Sequence, residues 1–96
     1  MTGLVEDIAT YIDRAGMPVR GTDEDFGLKF GVSATDAANA LRALIQSGII
    51  LRAVSMVDRR PLYTYNAMAS TSRGIANAAA RYERQVGARV PASLAG

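Results

Sequence analysis

The chain has 96 residues, of which 49% are hydrophobic and 21% charged, a balance that builds one globular domain rather than a disordered segment. It holds no cysteine and no histidine, which excludes disulfides, zinc sites made of nitrogen or sulfur ligands, Cys or Ser-His nucleophiles and imidazole acid-base catalysis. The formal net charge of +2 hides an asymmetry: residues 1–36 carry three cations against seven acids, a balance of −4, whereas residues 37–96 carry eight arginines against Asp58 and Glu83, a balance of +6. Such a division suits a polyanion on one side of the molecule.

Leu4 to Ala15 places apolar residues at 4, 5, 8, 9 and 12, the stripe of a first helix that Gly16 closes. Met17-Pro18-Val19 is extended, because proline restricts its predecessor and cannot continue a helix, and it suits a small edge strand. Thr22 opens a second helix, with Asp23, Glu24 and Asp25 at its positive dipole end and Asp25 at the capping-box position. Consecutive helical residues diverge by about 100°, so these carboxylates form a helix start and not a metal site. Phe26, Gly27 and Phe30 form the inner face, and glycine at 27 implies close approach by the next helix.

Gly31 ends that helix and Ser33 caps a third, with Asp36 three residues on and Gly48 suited to a left-handed stop. Ala37, Ala40, Leu41, Leu44 and Ile45 share its inner face, while alanines 34, 38 and 43 are expected to be exposed. Ile49 to Met56 and Leu62 to Tyr65 read as two strands joined by a polar turn, Val57-Asp58-Arg59-Arg60-Pro61. Met68 to Val86 suits a fourth helix with Ser70, Thr71 and Ser72 as candidate caps, and Val90 to Gly96 is expected to fray. No apolar run approaches the length of a membrane span, and Glu6 and Asp7 stand where a signal peptide carries positive charge, so a cytoplasmic chain is expected.

The expected class is α+β, mainly α with a small β-hairpin. Residues 1–66 form a winged helix-turn-helix with a three-helix core, residues 67–88 a C-terminal helix, and residues 89–96 a tail. Gly31-Val32-Ser33, Ala40-Leu41, Leu44 and Gly48-Ile49-Ile50 resemble the helix-turn-helix of GntR-type transcriptional regulators, without a gap. Asp58-Arg59-Arg60-Pro61-Leu62-Tyr63 resembles the wing of PadR-type regulators. One departure stands out: GntR-type proteins usually carry arginines just after the Ser and four residues on, where this chain has Ala34 and Ala38 with Asp36 between them.

The resemblance implies a small sequence-specific protein for double-stranded DNA, a dimeric regulator such as a repressor or a plasmid- or phage-type binding factor. Helix 33–47 would enter the major groove with Ser33, Thr35, Asn39 and Arg42 toward the bases, where Asn can bond adenine and a Thr methyl can meet thymine. Arg59 and Arg60 of the 57–61 wing, flanked by Arg52, would meet the backbone or minor groove. Ile75, Ala79, Tyr82 and Val86 form a stripe for a homodimer, or for packing back on the first helix. No enzyme activity, metal, cofactor or small-molecule effector is expected. The alternative is a winged-helix module that docks protein through the alanines of the third helix.

Overall fold

A computed structural model describes residues 3–68 and 72–89, with side chains over 73–85 in the second segment. Four helices and one three-stranded antiparallel sheet follow the order α1 (Leu4–Ala15), β1 (Val19–Arg20), α2 (Asp23–Phe30), α3 (Ala34–Gln46), β2 (Ile50–Val57), β3 (Arg60–Ala67) and α4 (Ser72–Arg89). The chain is therefore α+β, in a layout compatible with a winged helix.

The apolar stripe of α1 explains its burial. Val5, Ile8, Ala9 and Ile12 fall on one helical face and all lie inside, each at 2% exposure or less. They meet Ala37, Ala40, Leu41 and Leu44 of α3, Phe26 of α2, Ile49 and Ile50 at the start of the hairpin, Tyr65 of β3 and Ala78 of α4 in one cluster. Each buried Val, Ile or Leu side chain among them contributes roughly 1.5–3 kcal/mol on burial, and each Ala less. An aromatic group closes the α1–α2 side: the Phe26 ring lies edge-on to Tyr65 at 5.3 Å and to Tyr11 at 6.4 Å, and stacks with Phe30 at 6.5 Å.

Local chemistry sets the helix ends. Thr22 Oγ1 accepts the Asp25 N–H at 3.1 Å while Asp25 Oδ2 accepts the Thr22 N–H at 2.9 Å, a complete capping box. Thr22→Ala removes one half of it and should cost about 1 kcal/mol, read as a lower midpoint in urea denaturation at unchanged slope. A midpoint equal to wild type would show that water replaces the cap without loss. Ser33 Oγ accepts the Asp36 N–H at 3.0 Å at the start of α3. At its other end Gly48 adopts φ +74°, its N–H meets the Ile45 carbonyl at 3.1 Å, and the Ile49 N–H meets the Leu44 carbonyl at 3.0 Å. Those two bonds are a Schellman stop, and they turn the chain directly into β2.

The sheet order is β1-β3-β2. Here the hairpin differs from the sequence expectation, being longer and more tightly closed. Val57 pairs with Arg60, so the turn is only Asp58 and Arg59, both in the left-handed region at φ +51° and +65°. These are the signs of a two-residue type I′ turn, whose twist matches that of the flanking strands. Pro61, expected in the turn, instead lies in β3 opposite Met56. Next to the hydrogen-bonded pair that closes the turn comes a non-hydrogen-bonded pair, so β2 asks no N–H of Pro61. On the other side β1 pairs with Thr64 and Tyr65, and the Gly21 N–H reaches the Tyr63 carbonyl at 3.3 Å, so among the described residues no partner faces the proline there either.

Two further expectations change. Ala43 is fully buried, and Ala34 and Ala38 are half-buried, because α3 packs against α1, α2 and α4 at once. The fourth helix begins at Ser72 and runs to Arg89; the other candidate caps, Ser70 and Thr71, and the tail over 90–96 lie outside the described residues. Among the described residues, no helix is long and apolar enough to cross a membrane.

Candidate nucleic-acid interface

Two surfaces hold the residues singled out from the sequence. The first is the outer face of α3. Thr35, Asn39 and Arg42 stand four and three residues apart and so share one face, on which Thr35 and Arg42 are exposed and Asn39 is half-buried. Gln46 continues the row one turn further and is exposed as well, a member that the sequence reading left out. Ser33 lies just ahead of the helix, with its oxygen committed to the cap; its hydroxyl proton remains able to donate. The row offers hydroxyl, amide and guanidinium groups on a rigid element. A base edge can be read by that combination.

The second surface is the hairpin. Every residue of β2 after Ile50 is exposed, as are Asp58 through Pro61, so its outer part stands clear of the core. Arg59 and Arg60 occupy its tip. Arg52 does not join them. Five residues of extended strand separate it from Val57, roughly 17 Å at strand rise, and its guanidinium sits over the Tyr63 ring at 5.0 Å. The structure therefore brings together two tip arginines and leaves the third at the base of the hairpin.

Beneath Arg52 lies Tyr65, its partner across the strand pair, with the ring fully buried and the hydroxyl near the Arg52 guanidinium but outside hydrogen-bond geometry with it or any other described residue. Burial pushes the phenol above its usual range, and Arg52 partly opposes that rise. The raised value fixes the sign of a pH effect. Below about pH 10 the phenol is protonated whether the chain is folded or not, and stability is unaffected; above it the unfolded chain ionises first, so stability falls as pH rises toward the folded-state value. Tyr65→Phe should abolish that share of the alkaline loss and leave stability at neutral pH unchanged or up to about 1 kcal/mol higher, since an orphan hydroxyl is removed. Urea denaturation at neutral and alkaline pH measures both; a loss above about 1 kcal/mol at neutral pH would mean that the hydroxyl is satisfied after all.

The proposed dimer stripe sits differently from its simplest reading. Ile75, Ala79 and Tyr82 pack partly buried against the chain's own core, the position the alternative gave them, and the Val86 side chain lies outside the described set. The Asp23-Glu24-Asp25 run is a helix start, with Asp25 spent on the capping box. Among the described residues no cluster of three or more acidic, His or Cys residues could hold a metal. The burial of Ala43 narrows the apolar docking face proposed for α3.

Unread in the sequence was a row of arginines on α4, at 73, 81 and 84, all exposed. Its spacing is visible in the sequence, on the side of the helix away from the apolar stripe of Ile75, Ala79 and Tyr82. Comparison with protein-family models and with characterised protein sequences finds no match to this chain.

Proposed function

We propose that the chain is a winged helix-turn-helix protein that binds double-stranded DNA sequence-specifically, similar in design to GntR-type and PadR-type regulators, and that it acts as a small dimeric transcriptional repressor or a plasmid- or phage-type DNA-binding factor of the nucleoid. The observation that carries this reading is the wing turn. Arg59 is held at φ +65°, a conformation that favours glycine, at the tip of a hairpin projecting from the core. A left-handed, non-glycine residue exposed at such a tip points to a role for its side chain outside the fold. An exposed guanidinium beside a second one meets a phosphate backbone or a narrow minor groove.

The α3 row supports the same reading. Thr35, Asn39 and Arg42 read bases, and the chain leaves to the wing the phosphate contacts that Ala34 and Ala38 cannot make. A single helix reads few base pairs, so two copies pair over a palindrome. Ile75, Ala79 and Tyr82 are only partly covered by the core, and their remaining surface is where a second copy packs.

Selection of bound fragments from a random duplex pool, followed by fluorescence anisotropy of the selected and a scrambled duplex across salt concentrations, tests the proposal. The selected duplex should bind roughly 1,000-fold more tightly, with affinity falling linearly against the logarithm of salt concentration. Equal affinity for both duplexes would remove the sequence-specific reading. Light scattering showing a monomer on DNA would remove the dimer.

A further inference from the structure

Arg73, Asn77, Arg81 and Arg84 recur at steps of four and three residues and share one exposed face of α4. The helix turns another side to the core, through the fully buried Ala78 and the partly buried Ile75 and Tyr82. Its one acid, Glu83, lines a separate cavity beside Leu4, Val5 and Glu6 of α1, away from this face. Arg81 and Arg84 form no ion pair among the described residues.

The arginine row does not stand alone. Arg81 and Arg84, with Asn77 and Ala80, border a cavity of about 370 Å³ whose other wall is Gln46 and Ser47, the C-terminal end of α3. Ser47 Oγ is buried at that wall and has no hydrogen-bond partner among the described residues. Gln46 is also the last member of the outer row Thr35, Asn39, Arg42, Gln46, so the surface that faces outward on α3 continues without a break onto the arginines of α4.

We propose that the α3–α4 cavity is a second DNA contact, in which Arg81 and Arg84, with Asn77 beside them, hold a phosphodiester of the strand bordering the groove that α3 enters; this rests on the DNA-binding reading above. Helix length supports the placement. The 13 residues of α3 span roughly 20 Å, more than the roughly 12 Å width of the major groove, so a helix whose first turns read bases brings its last turn to the flanking backbone. Guanidinium forks suit a phosphate there, since each can donate two parallel hydrogen bonds to its oxygens. The contact also supplies cationic charge at the end of a recognition helix whose beginning lacks it. Two anchors result, the wing tip and α4, with the base-reading row of α3 as a third surface.

Anisotropy titrations of a labelled duplex at several salt concentrations test it, with four variants of matched thermal stability. Arg81→Ala/Arg84→Ala should weaken binding on the order of ten-fold near 0.1 M salt and make the log-log salt slope shallower by about 1 to 2. Arg81→Lys/Arg84→Lys should keep the wild-type slope, because the charges remain. Arg14→Ala/Lys29→Ala, which removes two cations beside Tyr11 on the α1–α2 side, should change the slope by less than half as much. A wild-type slope and affinity in Arg81→Ala/Arg84→Ala, or a loss no greater than that of the Arg14→Ala/Lys29→Ala control, overturns the α4 contact. If Arg59→Ala/Arg60→Ala weakens binding while the α4 variant does not, only the α4 contact falls. Failure of the wild type to bind any duplex removes both it and the DNA-binding reading.

Discussion

Replacing Gly27 with alanine is expected to destabilise the chain by about 1–3 kcal/mol, although the same change inside most helices is stabilising by up to about 1 kcal/mol. Gly27 is buried in α2, and a Cβ built there would lie 2.8 Å from the Val32 carbonyl oxygen, 3.1 Å from the Ser33 carbonyl carbon and 3.2 Å from the Ala34 nitrogen. All three neighbours are backbone. A flexible side chain could swing aside, but these atoms belong to the turn that carries the Ser33 cap and sets the angle of α3, so relief requires moving the helix. Overpacking therefore outweighs the gain in helix propensity. Thermal denaturation should show Tm lower by roughly 5–20 °C for Gly27→Ala, with Gly27→Val lower still. An alanine variant as stable as wild type would show that α2 and α3 have slack between them. Because the displaced atoms lead into Thr35 and Asn39, the same variant should lose DNA affinity even at temperatures where it is folded.

That close approach was legible in the sequence, since a glycine in the middle of an eight-residue helix sacrifices propensity that something else must require. The caps were legible for a similar reason: Thr22, Ser33 and Gly48 act through their own chemistry within three or four residues, without help from the tertiary fold. The hairpin was less so. Pro61 and two arginines read as a long turn, whereas the chain closes through Asp58 and Arg59 and leaves the proline at a position from which no N–H is required. Pairing register decides that, and Arg59, unlike Asp58, is a residue type that gives no local sign of a left-handed position. Ala43 was misplaced because an alanine suits either side of a helix; only the arrival of α4 from about thirty residues downstream determines which alanines are covered. The site divides along the same line. Thr35, Asn39 and Arg42 follow from helical spacing alone, whereas the separation of Arg52 from the tip and the meeting of Gln46 with Arg81 and Arg84 need the folded chain.

Arg59 offers a test in which stability and binding move in opposite directions. Its φ of +65° costs a non-glycine residue roughly 1–2 kcal/mol, while glycine accepts it freely and completes the Asp-Gly pair that type I′ turns favour. Part of that relief is offset by the greater backbone entropy of glycine when unfolded, so Arg59→Gly should raise stability by about 0.5–1 kcal/mol. Loss of one phosphate contact should at the same time weaken duplex binding on the order of five- to ten-fold near 0.1 M salt and make the salt slope shallower by about 1. Arg60 pairs with Val57 as a strand residue with no positive φ, so Arg60→Ala should show the loss of affinity without the gain in stability. Arg59→Ala/Arg60→Ala should lose both contacts, lowering affinity by some tens of fold, while retaining the left-handed strain at position 59. If Arg59→Gly is more stable and binds DNA as well as wild type, the arginine is not held at the turn for a phosphate, and the wing loses its place in the interface. If it is more stable and binds less, the strained turn is the point at which the fold gives up stability to present a charge.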